Sequence, residues 1–374
     1  MRILVAPDKF KGSISAVAAA EAIARGWRRA SPHDALDLAP IADGGEGFAE
    51  TLCGALGGEW IECEALDPIG RKVRARYAWI AARKLAIIDM SEASGLWRLE
   101  PHERDPLRAT TFGTGQLMRD ASARGATQIL IGLGGSATTD GGIGMAVALG
   151  YETLTTDGED LEAIPANLAS LTRVVDEAVI ELPEIIAACD VTNPLLGPRG
   201  TARVFSPQKG ADAKTVEALE NAMESLADAV TADLGCDFRN EPGAGAAGGF
   251  GFGLMSFCGA RIRSGFEIVA EILGLAERVA ASDLVITGEG RLDEQTLDGK
   301  GPAGVAAMAR ERGKRVLAFA GSVAEKAALD EVFDATCAII DEPVSLDAAM
   351  QRGAEFLERA AFRAARIFRL AQQN

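Results

Sequence analysis

Two lysines, a few carboxylates and a set of glycine-rich runs carry the chemistry of this sequence. Lys9 and Lys11 stand in Ala6-Pro7-Asp8-Lys9-Phe10-Lys11-Gly12-Ser13, just ahead of an expected helix start. A helix N-terminus is already partly positive, so two cations there call for a bound anion as compensation. Asp43, Gly44 and Gly45 open the run Asp43-Gly44-Gly45-Glu46-Gly47, and Gly134-Gly135-Ser136-Ala137-Thr138-Thr139-Asp140-Gly141-Gly142 forms a longer one. Glycines at 134, 135, 141, 142 and 144 would let backbone N–H groups close around an anion ahead of a helix at about 140, where the dipole also favours negative charge. This run has the character of a phosphate cradle. It is not a Walker loop, because no G-x-x-x-x-G-K-[ST] occurs and no lysine follows Gly134-Gly135-Ser136.

Asp190 closes the apolar run Ile185-Ile186-Ala187-Ala188-Cys189 and leads into Val191-Thr192-Asn193. A carboxylate at the tip of a buried strand often works as metal ligand or base, although a solvated capping role stands beside that reading. Lys209, in Ser206-Pro207-Gln208-Lys209-Gly210, adds a cation after a further apolar run, with a plain surface position as the alternative. Gly288-Glu289-Gly290-Arg291-Leu292-Asp293 is the last of these motifs. Any strand-to-helix connection carries Gly and a capping Asp or Ser, so one such loop says little. Several of them with charge or hydroxyls beside the Gly say more. The stretch Gly243 to Gly253 contains G-x-G-x-x-G at 243, 245 and 248, but Arg239-Asn240-Glu241-Pro242 precedes it instead of a strand. A dinucleotide fingerprint is therefore not assigned there, and its glycines are read as allowing close backbone packing or a ligand's approach.

The elements that must position these residues follow from hydrophobic periodicity. The first sixty residues read as strand (2–6), helix (13–29), strand (36–40) and helix (46–56), with Val17, Ala20, Ala24 and Trp27 forming the apolar stripe of a crossover helix. From Glu59 to Met90 the pattern changes to runs rich in Val, Ile, Tyr and Trp joined by short turns, which predicts antiparallel hairpins. The middle alternates helices (113–124, 140–149, 213–231) with strands (128–132, 185–190, 202–206). After residue 265 a regular alternation returns, with strands at 283–287, 315–320 and 335–340, a helix at 302–312 and a long terminal helix. In that helix Met350, Gly353, Leu357, Ala360, Ala364, Ile367 and Ala371 share one face, which should dock on the sheet. The economical architecture is α/β: a doubly wound domain from residues 1–60 plus 265–374, interrupted by a mixed α/β domain at 61–264. Two crossings would form a hinge. Loops at the carboxyl ends of parallel strands are where ligands gather, and the motifs above fall at such ends.

Composition removes several alternatives. The chain has 374 residues, 48% of them hydrophobic, enough for one large or two ordinary domains. No apolar stretch approaches the ~18 residues of a membrane span, and no export signal is read at the N-terminus. A formal charge of -16 argues against a nucleic-acid partner. Six scattered cysteines without a C-x-x-C pair imply reduced thiols, in keeping with a cytoplasmic protein. The two histidines, His33 and His102, lie in turns or charged runs, the second in Glu100-Pro101-His102-Glu103-Arg104-Asp105, so both read as solvated. Acid–base work then falls to carboxylates or lysines, and any metal should be a hard, oxygen-liganded ion.

Assembled in order, these segments resemble the bacterial glycerate kinase family. The resemblance rests on Ala6 to Ser13, Pro40-Ile41-Ala42-Asp43-Gly44-Gly45-Glu46-Gly47, Gly134 to Gly142 and Asp190-Val191-Thr192-Asn193-Pro194-Leu195. It continues through Pro207-Gln208-Lys209-Gly210-Ala211, Gly243 to Gly253, Ser264-Gly265 and Thr287-Gly288-Glu289-Gly290-Arg291-Leu292-Asp293-Glu294-Gln295, with Gly299-Lys300. It spans nearly the whole chain. What it implies is phosphorylation of D-glycerate by ATP with Mg²⁺, often at the 2-hydroxyl, on a two-domain fold, one part flavodoxin-like and the other likened to restriction endonucleases.

Individual roles are read from chemistry alone. Lys9, Lys11 and the Gly134 to Thr138 loop are expected to hold phosphates, with Asp8, Gly44, Gly45, Asn193, Lys209, Gly288, Glu289 and Gly290 as further binding residues. Asp190, with Asp43 or Asp293, serves as base or Mg²⁺ ligand, and Arg291 clamps the substrate carboxylate. Domain closure would expel water from the cleft. Two other readings stand beside this one. One is a different small-molecule kinase, since Gly134 to Thr138 is similar to the Gly-Ser-rich loop of the galactokinase-like superfamily. The other is a nucleotide-binding regulatory or redox protein.

Overall fold

A computed structural model describes residues 1–293, 296, 301–324 and 327–372. Glu294, Gln295, Gly299 and Lys300 of the family motif lie outside the described residues. The chain divides into two compact units: Met1–Asp43, Glu50–Ala55 and Phe266–Asn374 in the first, Gly44–Ala49 and Leu56–Gly265 in the second. The division expected at 60/61 falls at 55/56, and residues 44–49 also cluster with the second unit.

The first unit is built on a five-stranded sheet in the order Ala335–Ala338, Arg315–Val323, Leu284–Leu292, Arg2–Val5, Ala35–Leu38, with every pairing parallel. Leu4 pairs with Val285, so both ends of the chain share one sheet. Counted along the chain within this unit, the strands lie 2-1-3-4-5, and the order reverses between Arg2–Val5 and Leu284–Leu292. The carboxyl ends of strands at such a reversal form a natural ligand crevice.

Helix Ala16–Ala30 is capped by Ser15, whose hydroxyl accepts from the Ala18 amide, and it ends in Arg28 and Arg29. It buries Ala20, Ala24 and Trp27. Gly26 lets it lie against the terminal helix, since a Cβ there would stand 2.1 Å from the Glu358 carbonyl oxygen.

Several expectations for this unit require correction. The first helix begins at residue 16 instead of 13. A tight loop, with the Ser13 and Ile14 amides on the Phe10 carbonyl, separates the two lysines from it. The strand expected at 283–287 continues to Leu292, so Gly288 to Leu292 is strand and not loop. The terminal helix is Gly353–Gln372, preceded by a separate helix Leu346–Gln351. Its buried face steps by four, through Phe356, Ala360 and Ala364 and through Leu357, Ala361 and Ala365, which leaves Ile367 67% exposed.

The second unit holds a six-stranded mixed sheet in the order Arg261–Arg263, Glu184–Ala188, Gln128–Gly132, Leu85–Asp89, Lys72–Ile80, Glu59–Leu66. The first four strands are parallel and the last two are the expected antiparallel hairpin strands. Asp67 fixes the hairpin turn by accepting from the Ile69 and Arg71 amides. Ile129, Ile131, Ala187, Met145 and Phe250 lie in its core.

Thr201–Phe205, expected as part of a strand at 202–206, is a short helix. Thr201 and Ala202 are buried side by side while Val204 is exposed, a pattern that alternation along a strand would forbid. The glycine-rich stretch after Gly243 is also helical, Ala246–Cys258, with left-handed backbone at Ala247, Gly248 and Gly249. Its glycines serve backbone packing. A Cβ on Gly248 would meet the Thr138 carbonyl oxygen at 1.8 Å and one on Gly245 the Pro194 carbonyl oxygen at 2.2 Å. No helix among the described residues is long and apolar enough to cross a membrane.

Candidate active site

In the first unit the carboxyl ends of the two strands at the order reversal bring Asp8 beside Glu289. The ladder continues past Val5, with the Ala6 amide on the Ile286 carbonyl at 2.7 Å and the Asp8 amide on the Gly288 carbonyl at 2.8 Å. Asp8 is 5% exposed. Lys9 Nζ donates to Asp43 Oδ1 at 2.8 Å and lies 3.8 Å from Asp8 Oδ1. Glu289 accepts from the Thr296 hydroxyl at 2.7 Å. Burial pushes its carboxyl up to about 7 against that hydrogen bond, and the charges of Asp8, Asp43 and Asp293 push the same way. Gly290 lets the chain at Phe10 and Lys11 approach, since its Cβ would stand 3.2 Å from the Lys11 amide. Asp8, Lys9, Asp43, Glu289 and Asp293 therefore form one electrostatic group. Lys11 is exposed beside it, and Arg291, 71% exposed, pairs with Asp293 at 3.0 Å.

In the second unit the strand Gln128–Gly132 delivers the Gly134 to Thr138 loop. Lys209 reaches it from the one-turn helix Pro207–Lys209, with Nζ donating to Ser136 Oγ at 2.8 Å and to the Thr138 carbonyl at 2.6 Å. Lys209 is 2% exposed, so the surface alternative for it is excluded. Burial lowers its ammonium to about 7, with Asp140 opposing the shift. Thr138 is fully buried, and its hydroxyl oxygen has no hydrogen-bond partner among the described residues. Gly44 and Gly45 border this loop: a Cβ on Gly134 would lie 2.4 Å from Gly45 Cα, and one on Gly44 would lie 2.7 Å from the Ala188 carbonyl oxygen. Asp190 follows the neighbouring strand Glu184–Ala188 and is half-buried. Asn193 is used by its own loop, with Nδ2 donating to the Arg199 carbonyl and its carbonyl accepting from the Gly245 amide.

The expected anion cradle at 134–144 is largely closed by the protein itself. The Gly134 amide donates to the Gly44 carbonyl and the Gly141 amide to the Gly248 carbonyl. The amides of Gly142 and Gly144 donate to Asp140, which also accepts from the Thr111 amide and hydroxyl. Asp140 thus supplies the negative charge that a phosphate would have supplied at the start of helix Ile143–Leu149. Burial raises its carboxyl, and these hydrogen bonds oppose that shift. The amides of Gly135 and Ser136 stay uncommitted among the described residues. The compensation argument for the lysines changes too, because carboxylates partner Lys9.

Two residues have roles that the sequence reading does not assign. Asp89, 8% exposed, accepts from the Gly47 and Ala49 amides at 3.0 Å each and so anchors the 44–49 segment. It ends an apolar run, Ile87-Ile88-Asp89, which is the signal that singled out Asp190. Asp140 was seen as part of a motif, but its buried bonding to Thr111 has no local signature.

The profile of the glycerate kinase family matches residues 3–369. The chain is 43% identical over 364 residues to a glycerate kinase of Halalkalibacterium halodurans, covering 96% of each chain. It is 38% identical over 384 residues to the glycerate 2-kinase of Escherichia coli, covering 100% of each. A crystal structure of the Salmonella typhimurium LT2 protein assigned as glycerate kinase 2 superposes with a TM-score of 0.88 at 40% identity, again over 100% of each chain.

Proposed function

The chain belongs to the glycerate kinase family, and from that premise we propose that it transfers a phosphoryl group from ATP to the 2-hydroxyl of D-glycerate, in the cytoplasm. The observation that carries this reading is end-to-end similarity to a relative named glycerate 2-kinase, together with charged groups at the strand ends of both units. The 2-1-3-4-5 order of the first unit supports a flavodoxin-like description for it, and the mixed sheet supports a separate, restriction-endonuclease-like description for the second.

Phosphoryl transfer needs charge neutralisation, in-line positioning and a destination for the hydroxyl proton. In the second unit Lys209, Ser136 and the Gly135 and Ser136 amides are proposed to bind phosphate oxygens, and Asp190 to take the proton or bind metal. In the first unit Lys9 and Lys11 are proposed to neutralise phosphate charge. The donor set suits Mg²⁺. Burial first, and then the charges of Asp8, Asp43 and Asp293, push the Glu289 carboxyl up to about 7, and Lys9 lies against two of those aspartates. No group of three or more acidic, histidine or cysteine residues converges among the described residues. Mg²⁺ is usually held by one or two carboxylates plus phosphate oxygens, and Asp43 and Asp293, with Asp190 as the alternative, are the proposed ligands. When bound, Mg²⁺ would neutralise phosphate charge. The acceptor's carboxylate also needs a cationic partner, for which Arg291 is one candidate.

Incubation with ATP, Mg²⁺ and D-glycerate, with phosphorus NMR of the product, tests this reading. A 2-phosphoglycerate resonance is expected. A 3-phosphoglycerate product would overturn the regiochemistry, and no ATP consumption would overturn the activity.

A further inference from the structure

Arg104 lies in a run that looks fully solvated in sequence, yet it is half-buried, and its Nε is enclosed with no hydrogen-bond partner among the described residues. Neighbouring arginines behave differently. Arg71 binds Asp67 and Glu103, and Arg98 donates to the carbonyls of Glu92 and Arg74. A charged donor enclosed without a partner is costly, so such a group is best explained by a ligand that completes it.

Two further observations place that ligand. The Arg104 backbone packs on the residue after Lys209: a Cβ on Gly210 would stand 3.0 Å from the Arg104 carbonyl oxygen and 3.4 Å from its Cβ, and φ at Gly210 is +104°. Lys209 in turn holds Ser136 and Thr138, and Thr138 carries another enclosed polar atom without a partner among the described residues, its hydroxyl. Arg104 thus packs through its backbone against the segment of Lys209, which is 2% exposed and itself bound beside the uncommitted Thr138 hydroxyl.

We propose that Arg104, supported by Thr138, binds the carboxylate of the acceptor acid, beside the phosphate-binding Lys209. This rests on the glycerate kinase reading above. A guanidinium presents two parallel N–H donors that match a carboxylate, whereas a lysine beside it suits a phosphate oxygen as a point charge. Arg104 takes this role in place of Arg291, which is exposed and already paired with Asp293.

Steady-state kinetics of Arg104→Gln and Arg104→Lys test the proposal, together with calorimetric binding of D-glycerate to the unmodified and variant proteins. Turnover of D-glycerate by the unmodified chain is established first, and its absence would defeat the parent reading and this inference with it. With turnover present, Arg104→Gln should raise the KM for D-glycerate at least ~10-fold and weaken its binding equally, the loss expected for a charge-assisted hydrogen bond, with the KM for ATP unchanged. Arg104→Lys should recover part of the loss. An unaltered glycerate KM in a folded Arg104→Gln or Arg104→Lys enzyme, or a raised KM for ATP alone, overturns the assignment and leaves the parent reading standing.

Discussion

Lys9 Nζ donates to Asp43 Oδ1 at 2.8 Å, which ties the loop after the first strand to the loop after the second. The pair is partly exposed, with Asp43 41% accessible, so it contributes little to stability, about 1 kcal/mol or less. Its value lies in charge. Lys9→Ala should therefore lower turnover by ~10²-fold or more while shifting the urea midpoint only slightly. Lys11→Ala, at an exposed position, should leave the midpoint unchanged and also lower turnover. Variants with normal turnover would return both lysines to the status of ordinary surface residues.

Asp89 carries the opposite expectation. Its two oxygens accept from the Gly47 and Ala49 amides, and Asp89→Ala would strand both donors in a largely buried place. A loss of about 2–4 kcal/mol follows from two unsatisfied groups. Asp89→Asn retains one good acceptor and should recover roughly half of it. Urea denaturation of the two variants separates this anchoring role from a mere cap, for which both would cost under about 1 kcal/mol.

Local patterns made much of this legible, and contacts distant in sequence account for the rest. Leu4 and Val285 share a sheet because the strand–helix alternation at the two chain ends calls for a common partner. Asp190 and the Gly134 to Thr138 loop were found because each follows an unbroken apolar run. Lys209 announced itself as a cation, but its enclosure depends on Ser136 and Thr138, some seventy residues earlier. Arg104 sits in a charged run that packs against Gly210, distant in sequence, and the buried bonding of Asp140 depends on Thr111. The helix at Thr201–Phe205 was misread because five residues carry too little periodicity to separate 3.6 from 2.

Asp190→Asn keeps size and some hydrogen bonding but removes the charge proposed to act as base or ligand. Activity should fall by ~10²-fold or more. Partial recovery at high Mg²⁺ would identify a ligand, and no recovery a proton acceptor. A folded, fully active variant would defeat the assignment and shift it to Asp43 or Asp293.

Lys209 gives a pH signature that no surface lysine would produce. Burial holds its ammonium near 7 in the folded protein, against an ordinary value of 10.5 in the unfolded chain. Below about pH 7 both states carry the proton, so the penalty of the buried charge is fully present. Between about 7 and 10.5 the unfolded chain binds more protons than the folded one, and stability must rise with pH through this window. Lys209→Met has nothing to titrate there. The melting temperature of the unmodified protein should therefore climb relative to that of Lys209→Met as pH goes from 7 to 10, while turnover of the variant is lower throughout, for want of a phosphate-binding cation. Phosphate bound at the lysine would restore its proton, so saturating ATP should flatten the climb. Parallel melting curves without nucleotide would mean that Lys209 keeps its proton in the folded state, its charge balanced by Asp140 in the empty site.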